Sequence, residues 1–386
     1  MDFSFTSEQE ILRNTIRKFA EKEVTPYIEK AEEKEKFPVE IVPKMAELGL
    51  LGVSIPIRYG GSAVDDVSVR KINECIWLEE MSRVSAGISF GIQAAAGGAP
   101  AYILRDFANE EQKQKYLVPS AKGKKFGSFA LTEPNAGSDA ASIRTSAKRE
   151  NNHYVVNGTK IFCSNGNLAD YIFVALYTDK EKGVKEGVSV IIIEKGTSGF
   201  TIGQKFKKLG HRSVENAELV FEDCRVPQEN LVGEEGKAWP MLMSVLNESR
   251  VADSARAIGV ARAAYEDSLV YAKERVQFGR PIGKFQGVAF KLANIHTQIE
   301  AARNLTYKAA WDLGKKKDAR LEISTARLFA AQMVCSVTTQ ALEIFGGYGF
   351  IEDYPVQRYW RDARLFNFGY GTEEMQKIVI TRAIGL

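Results

Sequence analysis

Histidine and cysteine are scarce in this chain, with three of the first and four of the second among 386 residues. His153, His211 and His296 have no partner at i, i+4, and Cys75, Cys163, Cys224 and Cys335 form no Cys-x-x-Cys pair. That spacing argues against a metal site and against a disulfide framework. Long apolar runs are missing as well: stretches such as "VSVIII" (188–193) fall far short of the roughly 20 residues that a membrane span requires. Charge of one sign is not in excess, since 52 basic residues face 49 acidic ones, so no surface for nucleic acid is indicated. The amino terminus, "MDFSFTSEQEILRNTIRKFAEKEV", starts acidic and polar and lacks the apolar core of a signal peptide. A cytoplasmic chain with no membrane attachment is the expectation.

What the sequence does have is length and strong patterning. At 386 residues it exceeds the usual single core, so two or three packed units are expected. Residues 1–120 read as successive helices. The first places Ile11, Ile16 and Phe19 near one face, with Ser7 as N-cap and Glu10 completing a capping box. From 121 to 232 the period becomes two, in runs such as "NNHYVVNGTKIFCSNG", "YIFVALYT" and "AELVFEDCRVP" punctuated by Asn-Gly and Pro. From 233 to 386 helices return and lengthen, as in "RAIGVARAAYEDSLVYAKERVQF" and "LEISTARLFAAQMVCSVTTQALEIFGG". The order implies an α+β chain: a helical N-terminal domain, a middle β domain and a C-terminal helical bundle.

Six motifs stand in a fixed order. They are "FGSFALTEPNAGSDAASIRT" (126–145), "NGTKIFCSNG" (157–166), "ERVQFGRPIGKFQ" (274–286), "FGGYGF" (345–350), "RDAR" (361–364) and "GTEEMQ" (371–376). In sequence and spacing the chain resembles the acyl-CoA dehydrogenases, over essentially its whole length. The resemblance implies their fold, with a β-barrel-like middle domain and a C-terminal four-helix bundle, and one FAD per chain. Leu131 and Thr132 match residues at the flavin's pyrimidine edge, and Gly137 and Ser138 a close approach to pyrophosphate. Phe162 matches an aromatic over the flavin face, and Ser164 a hydroxyl at N5, where charge density must be held after hydride transfer. Arg275, Phe278, Gln286, Glu343, Gly346, Gly347, Thr372 and Glu374 match positions that complete the FAD site of a neighbouring subunit. A homotetramer built as a dimer of dimers is therefore implied, with electron-transferring flavoprotein as electron acceptor. Ser138, Asn247, Ser249 and Arg250 match positions along the CoA thioester, with Gly369 and Tyr370 beside its reacting end.

The family's proton acceptor is a glutamate just before Gly-Thr, and in this chain that position holds Tyr370, preceded by Gly369. A second arrangement puts the glutamate immediately before the helix arginine, where Ser249 stands. Glu248 is one residue off, which turns it by about 100° on a helix. Asp253, four residues past Ser249 and so on its face, is the remaining candidate for a relocated base. A salt bridge from Asp253 to Arg250 or Arg256 is the competing reading, and Tyr370, with a reference pKa of about 10, is a poor base. The Gly369 exchange suggests room for a cyclic or branched acyl group on an acyl-CoA or enoyl-CoA thioester. The alternative is non-redox chemistry on an acyl-CoA, such as an elimination, or a non-catalytic subunit of a hetero-oligomer.

Overall fold

The computed structural model describes residues 4–386. Its first helix, Ser7–Phe19, is capped by Thr6, whose hydroxyl accepts from the Gln9 N–H while the Gln9 side chain takes the Thr6 N–H. The capping box thus begins one residue earlier than the sequence suggests. The chain already turns extended at Thr6, and glutamine answers its N–H. Ile16 and Phe19 are buried, but Ile11 is 67% exposed and does not share their face. Five residues back from Ile16 is 500° around the helix, about 140° off that face.

The middle of the chain forms one seven-stranded sheet. Tyr171–Tyr177 lies between the parallel strand Gly127–Ala130 and the antiparallel strand Val188–Glu194, and is buried throughout. His153–Ser164 pairs with Ser146–Glu150 on one side and with Asn216–Pro227 on the other. Its register with Asn216–Pro227 shifts between Lys160 and Cys163. Phe162 sits in that irregularity at φ 56°, which turns its ring out of the sheet to 58% exposure.

The long helix Ala238–Glu274 is the axis of the helical layers. It packs on Val67–Val84 from the N-terminal region and on Gln286–Lys315 and Arg320–Phe345 from the C-terminal region. Small residues make the close contact: a Cβ at Gly259 would fall 2.4 Å from the Glu79 carbonyl oxygen. Pro355 and the glycines near 370 break the remaining chain into the short helices Val356–Ala363 and Glu373–Ala383, both against Arg320–Phe345. The segment 320–350 is apolar and long enough to pass as a membrane span by composition, which the shorter runs noted from sequence did not foresee. Half of its most apolar stretch is buried, and it packs on helices from both flanks.

Candidate functional site

The turn after the first strand carries "LTEPNAGSD". The strand at 153–164 holds its start, since Ile161 N–H donates to the Thr132 carbonyl at 2.9 Å. A buried ion pair fixes the rest. Lys160 Nζ lies 2.8 Å from Glu133 Oε1 and 2.9 Å from the Leu131 carbonyl. Glu133 also accepts from the N–H groups of Arg144 and Thr145. Burial works against its charge, but Lys160 and these donors outweigh it and hold the carboxyl below its ordinary value. Sequence reading missed both residues as part of the site. The pair spans 27 positions, and its only signal was an acid and a lysine inside two motifs that were otherwise read for the flavin.

The residues present fit an FAD. Phe162 presents a ring beside that turn that is more than half exposed, with Phe206 at 5.1 Å between centroids, and Gly137 and Ser138 lie exposed within it. At the far end of the long helix, a short hairpin pairs Val276–Gln277 with Arg280–Pro281 and carries Phe278 at its tip. Phe278 holds a positive φ of 50° and is 93% exposed. The ring packs only loosely on its own chain, 6.0 Å between centroids from Phe285. Behind the hairpin is an open groove of about 540 Å³ lined by Arg275, Tyr271, Ile282, Gly346, Gly347 and Tyr348, among others. No atom stands near a Cβ placed on Gly346 or Gly347. The groove thus brings Arg275 and the diglycine together. Gln286 and Glu374 are exposed, Glu343 is engaged by Lys291, and Thr372 caps Glu373–Ala383.

The expected thioester end gathers around the long helix. Arg250 Nε donates to the Tyr370 carbonyl at 3.2 Å, and its Nη1 to Asn247 Oδ1 at 2.9 Å. Burial, with Arg327 adding like-charge repulsion, brings the Arg250 guanidinium down to about 10. The Ser249 hydroxyl is spent on the Val245 carbonyl one turn back. Among the described residues nothing accepts from the Tyr370 N–H, which leaves a free backbone donor in a residue at φ 55°. The Tyr370 ring is half-buried beside Phe90, at 6.4 Å between centroids. Burial pushes its phenol up to about 12, with Arg256 and Arg327 opposing and Asp253 adding to the rise.

Asp253 does lie on the buried face of the helix, but it is not a free carboxylate. Its Oδ1 accepts from Arg256 Nη2, and its Oδ2 lies 2.8 Å from Arg327 Nη2. The second arginine comes from a helix 74 positions downstream and was not anticipated. With an arginine on each oxygen, Asp253 acts as a counter-ion, and the expectation of a relocated base there is corrected. Glu248 does not replace it. It is drawn to the opposite side by Arg105 at 2.6 Å and Lys71 at 3.0 Å, and these outweigh its burial to bring the carboxyl to about 2. A Cβ at Gly369 would meet the Leu365 carbonyl oxygen at 3.3 Å, so any side chain there would sit tightly, and the geometry adds nothing in support of a cyclic or branched acyl group.

Three family models match in order: "Acyl-CoA dehydrogenase, N-terminal domain" over 6–124, "middle domain" over 128–224 and "C-terminal domain" over 236–385. A short-chain specific acyl-CoA dehydrogenase of Clostridium acetobutylicum is 45% identical over 384 residues, covering both chains in full. The solved butyryl-CoA dehydrogenase of Megasphaera elsdenii superposes with a TM-score of 0.94 at 40% identity, again covering both chains in full. An acryloyl-CoA reductase (NADH) of Anaerotignum propionicum is 42% identical, covering all of this chain and 96% of that protein.

Proposed function

Since this chain belongs to the acyl-CoA dehydrogenase family of FAD-dependent oxidoreductases, we propose that it interconverts a short acyl-CoA and its enoyl-CoA with Tyr370 as the proton partner. When bound, FAD exchanges a hydride between its N5 and the acyl β-carbon. The other half of the reaction, the proton at the α-carbon, falls to the chain's own residues. The free N–H of Tyr370 polarises the thioester oxygen, a role that depends on backbone alone and survives the loss of a carboxylate. The observation that carries the reading is geometric: Asp253 has an arginine on each oxygen and Glu248 is held by Arg105 and Lys71, so no free carboxylate remains among these acids, while burial raises the Tyr370 phenol. A group protonated so firmly donates at neutral pH and accepts only rarely.

At neutral pH the resting phenol holds its proton, so the reductive half of the cycle starts from the resting protonation state. The phenol O–H bond breaks, its proton passes to the α-carbon while hydride reaches the β-carbon, and the phenolate regains a proton from water. The electron pair must come from a two-electron carrier, of which electron-transferring flavoprotein is the one the family suggests and NADH the one named for the Anaerotignum relative. The uncovered ring of Phe278 and the open groove beside Arg275 and the diglycine support a homotetramer whose subunits complete one another's FAD sites.

Anaerobic stopped-flow spectroscopy tests the reading. Photoreduced holoenzyme mixed with crotonyl-CoA at pH 7 regains its flavin absorbance, and Tyr370→Phe slows that step by at least about 10²-fold with FAD retained. Equal rates in the two proteins would remove Tyr370 from the proton step. Flavin that neither crotonyl-CoA nor butyryl-CoA perturbs would leave the chain with non-redox or purely structural duties.

A further inference from the structure

Arginines hold the segment that ends in Tyr370 along its whole length. Arg327 donates from Nη2 to the carbonyls of Phe366, at 2.6 Å, and Gly369, at 2.8 Å, and Arg250 donates from Nε to that of Tyr370 at 3.2 Å. These two fix the backbone, with Tyr370 at φ 55°, a conformation that a bulky residue keeps only where its surroundings enforce it. The third guanidinium, that of Arg256, meets the side chain instead. It lies 5.8 Å from the Tyr370 ring centroid, 4.2 Å from that of Phe90 and 6.0 Å from that of Phe366.

Arg256 is wholly buried, and its charge is only partly answered. Its Nη2 donates to Asp253, whose other oxygen lies 2.8 Å from Arg327, so one carboxylate serves two guanidinium groups. Nε and Nη1 of Arg256 have no partner among the described residues. The neighbouring groups do not fill the gap. Arg250 adds like charge beside Arg327, and His211, whose ring stands 5.8 Å from both Phe90 and Phe366, is neutral, since burial and Arg256 bring its imidazole down to about 3. Asp362 accepts from the His211 N–H, and Glu32 pairs with Arg361. An incompletely paired buried cation is costly, so a negative charge that arises beside it is strongly favoured.

We propose that Arg256 is a positioning residue for the proton step, whose free N–H groups orient the Tyr370 hydroxyl and receive the negative charge left there when its proton passes to the α-carbon. This deepens the reading of Tyr370 as proton partner and rests on it. As the O–H bond breaks, the electron pair stays on the phenolic oxygen, and water later returns the proton. While the phenolate exists, it and Asp253 together balance Arg256 and Arg327. An opposite charge at about 4–6 Å favours an ionised acid roughly tenfold to a thousandfold. Among the groups around Tyr370, Arg256 is the strongest to oppose the rise that burial imposes on the phenol.

The test reads position 370 directly. With 3,5-difluorotyrosine placed there in FAD-loaded protein, fluorine withdraws electron density and lowers the phenol's titration into an accessible range, where ¹⁹F NMR follows it. Arg256→Gln should weaken ionisation at this position at least about tenfold, and Arg256→Lys should return part of the loss. With the native tyrosine, Arg256→Gln should slow reoxidation of the photoreduced enzyme by crotonyl-CoA at least about tenfold and leave crotonyl-CoA affinity within about threefold. If the glutamine variant does not fold, Asp253→Asn replaces it and should strengthen ionisation, since it removes the negative charge on the other side of Arg256. An unmoved titration in whichever variant is read would overturn the proposal and leave Arg256 a packing cation. So would a moved titration with an unchanged reoxidation rate where Tyr370→Phe is slow, an outcome that spares the reading of Tyr370. If Tyr370→Phe is as fast as the native enzyme, that reading fails and takes the proposal with it.

Discussion

Raising the pH should convert this protein from a reductase into a dehydrogenase, and the size of the effect follows from Tyr370. In the oxidative direction the α-proton must be taken by a phenolate, not given by a phenol. With the phenol at about 12, the phenolate fraction at pH 7 is about one part in 10⁵, against about one in 10³ for an unperturbed tyrosine. Below pH 12, each unit of rise in pH multiplies that fraction by about ten. The first-order rate at which butyryl-CoA bleaches the flavin under anaerobic conditions should therefore climb about 100-fold between pH 7 and pH 9, with a log–log slope of one and no plateau. The reverse step, reoxidation by crotonyl-CoA, uses the protonated form and should stay level over the same interval. Tyr370→Phe should flatten the oxidative profile at its floor. An oxidative rate that levels off above pH 5 to 6 would reveal a carboxylate base, and the assignment of Tyr370 would fall.

Three further outcomes follow from the ion pairs and the hairpin. Asp253→Asn should leave Arg256 and Arg327 buried without a counter-charge and destabilise the protein by about 3–5 kcal/mol, seen in thermal unfolding; a variant of native stability that has lost turnover would instead revive Asp253 as a base. Glu133→Gln strands Lys160 in the flavin turn, so FAD retention on gel filtration and Tm should both fall, and a variant that keeps both would refute the positioning role. Arg275→Ala combined with Phe278→Ala should weaken FAD retention and tetramer assembly while leaving the subunit's helical circular dichroism unchanged, and an undiminished FAD-loaded tetramer would show the hairpin to be idle.

The sequence made the architecture legible because its periods are clean. Apolar spacing over six turns marks the helices 238–274 and 320–345, and alternation marks the sheet. The glycine-rich motifs were legible for a related reason: Gly346 takes φ 60° and stands open to a groove, which few other residues permit. What stayed hidden were pairings across distance. Periodicity put Asp253 on the buried face, but nothing in its neighbourhood announced Arg327 from another helix. Glu133 and Lys160 read as two separate motif letters until the bulged strand brought them together. Glu248 shows the converse, since one residue of helical rotation sent it to Lys71 and Arg105, as the 100° step required.

The tyrosine at 370 and the arginines around it belong together. A glutamate at that position would stand where the Tyr370 ring now meets the Arg256 guanidinium at 5.8 Å, with Arg327 close behind. It would be drawn into their unfilled donors, and a carboxylate so paired is stabilised in its charged form and makes a weaker base. A phenol avoids the conflict. It carries no charge, it fills the space against Phe90 with an aromatic face, and its backbone N–H remains free for the thioester. Asp253 supplies from the helix one counter-charge, where two buried guanidinium groups would call for two.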